Sequence, residues 1–241
     1  KTHGIDGDYR VEEVRPQDFA AFLKSLPERG YVGANVTMPH KEQALALSEP
    51  DARAKAVGVA NTLWLDAGTL RSTNTDVEGF ICALDEAAPG WDRRNERAIV
   101  LGAGGAGNAV TFGFIERGIK CIHVVNRTFE KAAALRERFG ARVVPARWEE
   151  LPRLLDGAGL LANTTSLGMT GQPELPIDLA PMAEGSVVGD VIYVPLKTKL
   201  LEAAEKRGFR TSNGLDMLLH QAVRGFELWF GVRPKVTREL R

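Results

Sequence analysis

A glycine-rich segment in the middle of the chain has the spacing of a phosphate-binding turn. Residues 102–107 read Gly-Ala-Gly-Gly-Ala-Gly and fit the pattern G-x-G-x-x-G. They follow a predicted strand, residues 98–101, and open a predicted helix, which is the context that makes the pattern meaningful. Glycines here let backbone N–H groups approach a pyrophosphate beside the partly positive helix N-terminus. An ordinary turn is the alternative; the candidate dinucleotide-binding residues are Gly102, Ala103, Gly104, Gly105, Ala106 and Gly107.

The turn after the next predicted strand distinguishes between two nicotinamide cofactors. It reads Asn126-Arg127-Thr128, and Lys131 follows one helical turn later. A site for NAD places a carboxylate here to accept a hydrogen bond from the ribose 2′-hydroxyl. A guanidinium instead pairs with the 2′-phosphate of NADP, which a carboxylate would repel. We therefore predict NADP; a solvated surface arginine is the alternative interpretation of Arg127.

A lysine in the first turn of a predicted helix is the candidate for proton transfer. Residues 35–41 read Asn-Val-Thr-Met-Pro-His-Lys, so polar Asn35 and Thr37 lie at a strand end and Lys41 follows Pro39. A cation at a helix N-terminus opposes the helix dipole at a cost of about 0.3–1 kcal/mol. Local rules are often broken at functional sites, and an ammonium group can act as a general acid. Plain solvent exposure is the alternative for Lys41.

Other polar side chains lie where strands or helices are predicted to end. Asp76 follows a predicted hairpin, where a helix N-cap is the plain interpretation. Thr165 and Tyr193 follow predicted strands at the carboxyl edge of a sheet, which is where open α/β folds bind ligands. Asn61 lies on a hairpin strand and Gln221 on the last helix, where hydrogen bonding across the strands and surface exposure are the alternatives.

Two patterns of secondary structure position these residues. The first third of the chain mixes short elements, including a strand predicted at residues 9–14, whereas strands and helices alternate regularly from Ala98. Repeated βα units predict a doubly wound parallel sheet. We predict an α/β protein with two domains: a substrate-binding catalytic domain, residues 1–77 completed by helices in 213–241, and a Rossmann-type NADP domain, residues 78–212. The strands predicted for the second domain are residues 98–101, 121–125, 142–144, 160–163 and 187–191; its helices are 106–117, 129–139, 148–155 and 196–206.

Composition narrows the function classes. The 31 basic and 31 acidic residues balance, which argues against a nucleic-acid binder and a polybasic membrane anchor. Residues 98–115 carry no charge, but their glycines favour a strand, a loop and a buried helix over a membrane span. Two cysteines cannot form a disulfide framework, so we expect a reducing, cytoplasmic compartment. The four histidines lack metal-ligand spacing, so we expect no metal site.

Taken together, the motifs make the chain similar to the shikimate dehydrogenase family over nearly its whole length. No single motif is specific, but their number and order are. The resemblance rests on residues 35–41, Ala60-Asn61-Thr62, Asn74-Thr75-Asp76, residues 102–106, Asn126-Arg127-Thr128, residues 163–169, residues 190–198 and residues 213–222. Family members normally carry, ahead of the residue matching Lys1, a strand and a Ser-x-Ser motif that contacts the substrate carboxylate; both lie outside the sequence given.

The resemblance implies an activity and a role for each matching residue. The family reaction is the reversible, NADP-dependent reduction of 3-dehydroshikimate to shikimate, a step in chorismate and aromatic amino acid biosynthesis. Lys41 and Asp76 match the catalytic lysine–aspartate pair. The substrate-binding positions match Asn35, Thr37, Asn61, Tyr193 and Gln221. Besides residues 102–107, the cofactor contacts match Asn126, Arg127, Thr128, Lys131, Thr165, Val191, Gly214 and Met217.

Two alternative functions stay open, and so does the choice of binding partners. One is a quinate/shikimate dehydrogenase with broader substrate or cofactor use. The other, of a different class, is a non-catalytic NADP-binding regulatory relative, although Lys41 and Asp76 are both present. We expect a small-molecule substrate, no nucleic-acid or membrane partner, and allow for a homodimer.

Overall fold

The computed structural model describes residues 3–240, which divide into two compact units. The first unit comprises the described residues up to Thr75 together with Ala222–Arg238. The second comprises Asp76–Gln221 and the described residues from Glu239. The last long helix, α10 (Gly214–Phe230), contributes residues to both units.

The first unit is built on a mixed sheet. Its strand order is β1-β3-β4-β2: β1 and β4 each pair antiparallel with β3, while β2 pairs parallel with β4. The β3–β4 hairpin turns through Ala67 and Gly68, both with positive φ (48° and 84°). Its strands are β1 (Gly33–Asn35), β2 (Glu49–Pro50), β3 (Thr62–Asp66) and β4 (Thr69–Thr73). Its helices are α1 (Phe19–Ser25), α2 (Lys41–Ala46) and α3 (Ala52–Val57).

A small apolar core holds this sheet against its helices. Phe19, Leu23 and Leu26 are buried with Val36 and Leu63 in one cluster. The C-terminal half of α10 packs on the same unit, where Trp229 Nε1 donates to the Leu63 carbonyl at 2.8 Å. A Cβ on Gly33 would lie 2.1 Å from that indole nitrogen, so the close approach requires glycine at the edge strand.

The second unit is a six-stranded, all-parallel sheet in the order β10-β9-β8-β5-β6-β7. The order reverses direction at β5 and β8, which is the switch point where such sheets bind ligands. The strands are β5 (Arg97–Leu101), β6 (Cys121–Val125), β7 (Val143–Ala146), β8 (Leu160–Asn163), β9 (Val187–Asp190) and β10 (Arg210–Ser212). The helices, besides α10, are α4 (Asp76–Ala87), α5 (Trp91–Arg94), α6 (Gly105–Glu116), α7 (Phe129–Phe139), α8 (Leu151–Leu155) and α9 (Lys199–Lys206).

Each face of the parallel sheet carries its own apolar cluster. On one face, Val100 and Val124 pack with Phe80 and Phe114 from helices α4 and α6. On the other, Ile99 and Leu161 pack with residues such as Leu201 of helix α9. Burial on both faces explains why β5 and β8 are continuous apolar runs rather than alternating ones.

The predicted fold class is confirmed: an α/β protein with a mixed sheet and a Rossmann-type parallel sheet. Predicted strands 121–125 and 160–163 and helix 129–139 have the bounds that the structure shows. The strand predicted at residues 9–14 is wrong, because the structure has no strand or helix there. Predicted helix 148–155 is a 3₁₀ turn, Trp148–Glu150, followed by α8, with Pro152 at the second helical position.

The uncharged stretch of residues 98–115 is strand β5, the glycine-rich turn and helix α6. Among residues 3–240, no helix combines the length and the apolar character needed to cross a membrane. The same residues contain no group of three or more His, Cys, Asp or Glu side chains placed to bind a metal ion.

Candidate functional site

The glycine-rich turn of the second unit has a shape that only glycine permits. Gly102, directly after strand β5, has φ +102°, and a Cβ there would lie 2.8 Å from Thr164 Oγ1. A Cβ on Gly107, in the first turn of α6, would lie 2.3 Å from the Gly102 carbonyl oxygen. Gly104 differs, since a Cβ built on it would have no described atom within 4 Å beyond Gly104 itself and its two chain neighbours. The turn therefore packs tightly at Gly102 and Gly107 and leaves open space above Gly104, as a bound pyrophosphate requires.

Asn126 connects this turn to the end of strand β6. Its Oδ1 accepts a hydrogen bond from the Ala103 N–H at 3.2 Å, and its Nδ2 donates to the Thr128 carbonyl at 2.8 Å. One side chain thus joins the phosphate turn to the turn that selects between cofactors. Asparagine suits this place because it supplies both a donor and an acceptor.

Three exposed polar side chains surround the start of helix α7. Arg127, Thr128 and Lys131 are all exposed, and Thr128 occupies the N-cap position without a capping hydrogen bond from its side chain. These groups are placed to meet an anion at the helix N-terminus, where the dipole is favourable. The residues predicted to bind the 2′-phosphate of NADP therefore lie at the same edge of the sheet as the glycine-rich turn.

Sequence reasoning missed another cation beside this helix start. Arg147 follows strand β7, whose Ala146 pairs with Val125 of β6. Its guanidinium lies 4.7 Å from the centre of the Phe129 ring, the first residue of α7. Its signal in the sequence was its position directly after a parallel strand, but the predicted strand ended too early, at residue 144, to reveal it.

The remaining predicted cofactor residues lie just after strands β8 and β9 and in the first turn of helix α10. Thr165 follows β8, and its Cγ2 would lie 3.1 Å from a Cβ on Gly102. Val191 follows β9, and a Cβ on Gly214 would lie 2.3 Å from the Val191 carbonyl oxygen. Met217 is buried in the apolar cluster with Phe80, so its side chain takes part in the core of this unit.

Two of the predicted substrate residues of the first unit, Asn35 and Asn61, belong to one polar network. The Tyr9 hydroxyl donates to Asn35 Oδ1 at 3.0 Å, and Asn35 Nδ2 donates to Thr62 Oγ1 at 3.3 Å. Asn61 Oδ1 accepts from the Thr75 N–H at 2.7 Å, and Asn61 Nδ2 donates to Thr75 Oγ1 at 3.1 Å. The hydroxyls of Thr62 and Thr75 lie 2.9 Å apart and complete the chain. The sequence motifs predicted the two asparagines as site residues. They did not predict Tyr9, because no motif surrounds it.

Lys41 is the first residue of helix α2, as its position after Pro39 predicts. The Lys41 carbonyl accepts a hydrogen bond from the Ala60 N–H at 3.0 Å, which ties the lysine backbone to the residue before Asn61. His40 is buried, stacks on Phe19 at 4.4 Å and hydrogen-bonds the Val14 carbonyl through Nε2 at 2.8 Å. The structure therefore fixes the start of α2 from both sides. Thr37, by contrast, is exposed.

Asp76 and Gln221 belong to the second unit and are both buried. Helix α4 starts at Asp76 itself, so this residue lies inside the first turn rather than at the predicted N-cap. Gly79 shares a face of α4 with Asp76, and a Cβ there would lie 2.7 Å from Gln221 Cβ. Gly79 thus allows α4 and α10 to meet at Gln221, and surface exposure of this glutamine is excluded. Tyr193 is half exposed on the loop after β9.

Fold and site together define the class of protein. The second unit has a doubly wound sheet, a glycine-rich turn and the basic residues Arg127 and Lys131 after strand β6, which together are typical of an NADP-binding domain. The first unit carries a polar network and a lysine, Lys41, at the start of a helix. This is the organisation of a two-domain NADP-dependent oxidoreductase.

Comparison with known proteins gives the family. The family model "Shikimate dehydrogenase substrate binding domain" matches residues 1–63, "Shikimate / quinate 5-dehydrogenase" matches residues 85–168 and "Shikimate 5'-dehydrogenase C-terminal domain" matches residues 214–238. "Shikimate dehydrogenase (NADP(+))" of Rhodopseudomonas palustris (strain TIE-1) is 62% identical over 99% of this chain and 85% of its own length. The protein of the same name from Nitrobacter winogradskyi is 61% identical over 100% of this chain and 86% of its own.

Two solved structures of related enzymes are similar to this chain over most of its length. Shikimate 5-dehydrogenase from Thermus thermophilus, in complex with NADP(H) and shikimate, has a TM-score of 0.84 at 34% identity and covers 97% of this chain and 86% of that chain. Quinate dehydrogenase from Corynebacterium glutamicum, in complex with NAD, has a TM-score of 0.85 at 31% identity and covers 95% of this chain and 83% of that chain. The chain belongs to the shikimate dehydrogenase family and is an NADP-dependent oxidoreductase.

Proposed function

We propose that this protein catalyses the reversible, NADP-dependent reduction of 3-dehydroshikimate to shikimate in aromatic amino acid biosynthesis. The observation that carries the proposal is the 62% identity, over nearly the whole chain, to a relative named for this reaction and cofactor. The basic edge at Arg127 supports the same cofactor from the structure, since no carboxylate follows strand β6 there.

In this proposal two domains divide the work, with bounds that differ from those of the compact units chiefly at residues 76–77 and 213–221. Residues 1–77, completed by helices within 213–241, form the substrate-binding catalytic domain. Residues 78–212 form the NADP domain. The matches of separate family models to residues 1–63 and 85–168 support a boundary between them.

The cofactor residues act mainly through backbone and charge. The turn of residues 102–107 would hold the pyrophosphate through its N–H groups. Asn126 fixes the position of that turn relative to Thr128, because its side chain bonds to both. Arg127, Thr128 and Lys131 would bind the 2′-phosphate. Around the nicotinamide half, the proposed contacts are Thr165, Val191, Gly214 and Met217. The bound cofactor supplies the hydride.

The substrate residues hold the ring and move a proton. Asn35, Thr37, Asn61, Tyr193 and Gln221 are proposed to bind its hydroxyl and carboxylate groups. In the reduction, Lys41 Nζ donates a proton to the ketone oxygen; in the oxidation, neutral Nζ accepts it from the hydroxyl. Asp76 is proposed as the second member of the catalytic pair, on the strength of the family resemblance, and as an acceptor for a neighbouring substrate hydroxyl. Anchoring of the Lys41 backbone at Ala60 supports the assignment, because a proton donor needs a fixed position.

The decisive experiment is a coupled assay of shikimate and quinate with NADP and NAD in all four combinations. Shikimate with NADP should have the highest kcat/KM. Comparable turnover of quinate or NAD would support the broader quinate/shikimate enzyme instead. Absence of turnover in all combinations, with NADP still bound, would support the regulatory relative.

Two finer points belong to the same proposal. We also propose a cytoplasmic location, because Cys82 and Cys121 form no disulfide, as a reducing compartment favours. The proposal also allows for a homodimer. Light scattering at assay concentration measures the mass directly, and a monomeric mass would exclude the dimer.

A further inference from the structure

A buried carboxylate lies at the centre of the carboxyl edge of the second unit. Asp190, the last residue of strand β9, is 1% exposed. Three neutral groups donate hydrogen bonds to it: Thr198 Oγ1 at 2.7 Å, the Ile192 N–H at 3.1 Å and Asn163 Nδ2 at 3.1 Å. Burial raises the pKa of Asp190 to about 6, against the effect of these donors. A buried carboxylate is costly, so its presence calls for an explanation.

One branch of hydrogen bonds runs from Asp190 into the loop after β8. Asn163, which donates to Asp190, also accepts from the Thr165 N–H at 3.1 Å and from Thr165 Oγ1 at 2.7 Å. Thr165 Oγ1 in turn accepts from the Leu167 N–H at 3.1 Å. Asn163 Nδ2 also reaches the Leu167 carbonyl at 3.2 Å. The position of Thr165, a proposed cofactor contact, therefore depends on an amide that Asp190 orients.

The other branch fixes the loop of residues 191–198. Asp190 Oδ1 holds the Ile192 N–H, and Oδ2 holds Thr198, which caps helix α9. The Val191 N–H donates to the Asn163 carbonyl at 3.1 Å, and the Ile192 carbonyl accepts from the Gly214 N–H at 3.0 Å. Tyr193 extends from this loop and is half exposed. Both ends of a loop that carries proposed cofactor and substrate contacts thus attach to a single carboxylate.

We propose that Asp190 is a positioning residue: its carboxylate sets the loops after β8 and β9 so that Thr165, Val191 and Tyr193 meet cofactor and substrate. The inference rests on the proposed function. A carboxylate accepts hydrogen bonds at both of its oxygens, whereas an amide accepts at one oxygen only and an apolar side chain at none. A fully satisfied buried network specifies one arrangement of its loops, whereas a partly satisfied one does not.

The test compares Asp190→Ala and Asp190→Asn with Ser186→Ala. Ser186 also is buried and donates to the Ala158 and Ala183 carbonyls, but it precedes β9 at the opposite edge of the sheet. NADPH binding is measured by fluorescence titration, stability by urea unfolding, and kcat and KM by steady-state kinetics. Asp190→Ala should weaken NADPH binding at least tenfold and lower kcat, since misplacement by about 1 Å can cost on the order of 10²-fold. Asp190→Asn retains the shape and two of the acceptor contacts and should recover part of the affinity.

Ser186→Ala should lose stability while its NADPH affinity stays within about twofold of wild type. Should Asp190→Ala fail to fold, Thr198→Val and Thr198→Ser serve the same purpose. The valine variant lacks the hydroxyl that donates to Asp190 and should weaken NADPH binding, while the serine variant keeps that donor and should not. Wild-type NADPH affinity in the Asp190 or Thr198→Val variants would overturn the inference, as would an equal loss in Ser186→Ala. A wild-type protein that does not bind NADPH would overturn the proposed function as well, so the two failures are distinguishable.

Discussion

The two units prepare their ligand sites by different physical means. In the first unit, Asn35 and Asn61 share a network of amide and hydroxyl groups, and these bonds join neutral groups. In the second unit, the glycine turn presents backbone groups, and a charged carboxylate, Asp190, holds the neighbouring loops. Side-chain amides can match the hydroxyls of a small ring one by one. Backbone N–H groups suit a pyrophosphate because its negative charge is spread over many oxygens.

The difference predicts how each unit tolerates substitution. In the first unit, loss of one functional side chain should remove one ligand contact or the proton transfer and leave the fold intact. In the second unit, addition of a single methyl group at a glycine should disturb the scaffold itself, since the contacts of Gly102 and Gly107 are with backbone or short side chains.

The largest effect should come from Lys41→Ala. Loss of a general acid–base group typically lowers the rate about 10²–10⁴-fold, so kcat should fall by that factor. KM for shikimate should change little, because the proposed binding of the ring uses Asn35 and Asn61. Steady-state kinetics in both directions measure the effect. The alanine variant keeps the backbone carbonyl that accepts from the Ala60 N–H, and its thermal midpoint, measured beside that of wild type, shows whether the variant is folded. A variant with near-normal kcat would show that Lys41 is not the proton donor.

A matched pair of alanines tests the glycine turn. Gly107→Ala places a Cβ 2.3 Å from the Gly102 carbonyl oxygen, whereas Gly104→Ala adds one in open space. Overpacking typically costs about 1–3 kcal/mol, so Gly107→Ala should lower the free energy of unfolding by that amount in urea. Gly104→Ala should leave stability nearly unchanged and still weaken NADPH binding. Equal stability of the two variants would contradict the close packing at Gly107.

Arg127→Ala should act on cofactor choice alone. A hydrogen bond to a charged group contributes about 1.5–3 kcal/mol, so NADP affinity should fall roughly 10- to 150-fold with little change for NAD. Calorimetric titration with 2′-phosphorylated and unphosphorylated adenosine nucleotides isolates this contact. Arg147→Ala is the comparison: its guanidinium packs over Phe129, so we expect a smaller loss of NADP affinity. An unchanged ratio of NADP to NAD affinity in Arg127→Ala would contradict the assignment.

Local sequence signals were sufficient for most of the second unit. Most of its strands are apolar runs bounded by turns, and Gly118, Gly140 and Gly208 have the positive φ expected after helices. Strand β10 was missed because Arg210–Ser212 has only three residues, and its assignment comes from pairing with β9 rather than from its own composition.

In the first unit, tertiary contacts override local pattern. The alternating residues 9–14 resemble a half-buried strand, but Tyr9 and Val11 are exposed and the segment is held by side chains: Tyr9 contacts Asn35, and the Val14 carbonyl contacts His40. In the second unit, the close approach of Gln221 to Gly79 was equally hidden, because it depends on where two helices distant in sequence meet. Residue types identified the candidate side chains; which of them share a network depends on the pairing of strands.

The smallest effect concerns pH and the buried carboxylate of the second unit. The pKa of Asp190 in the folded protein is about 6, above its ordinary value of 3.8, because burial penalises the carboxylate. The folded state therefore binds more protons than the unfolded chain between these values, and the stability contributed by the protonated form is lost as pH rises through about 6. From pH 7 to pH 5, wild type should gain about 1 kcal/mol relative to Asp190→Asn, which has no proton to take up. Urea unfolding of both proteins at pH 5, 6 and 7 measures this difference. The neutral network of the first unit offers the control, since Asn61→Ala should shift stability equally at each pH. A difference between wild type and Asp190→Asn that stays constant across this range would show that the carboxylate is not held in the desolvated network that the structure shows.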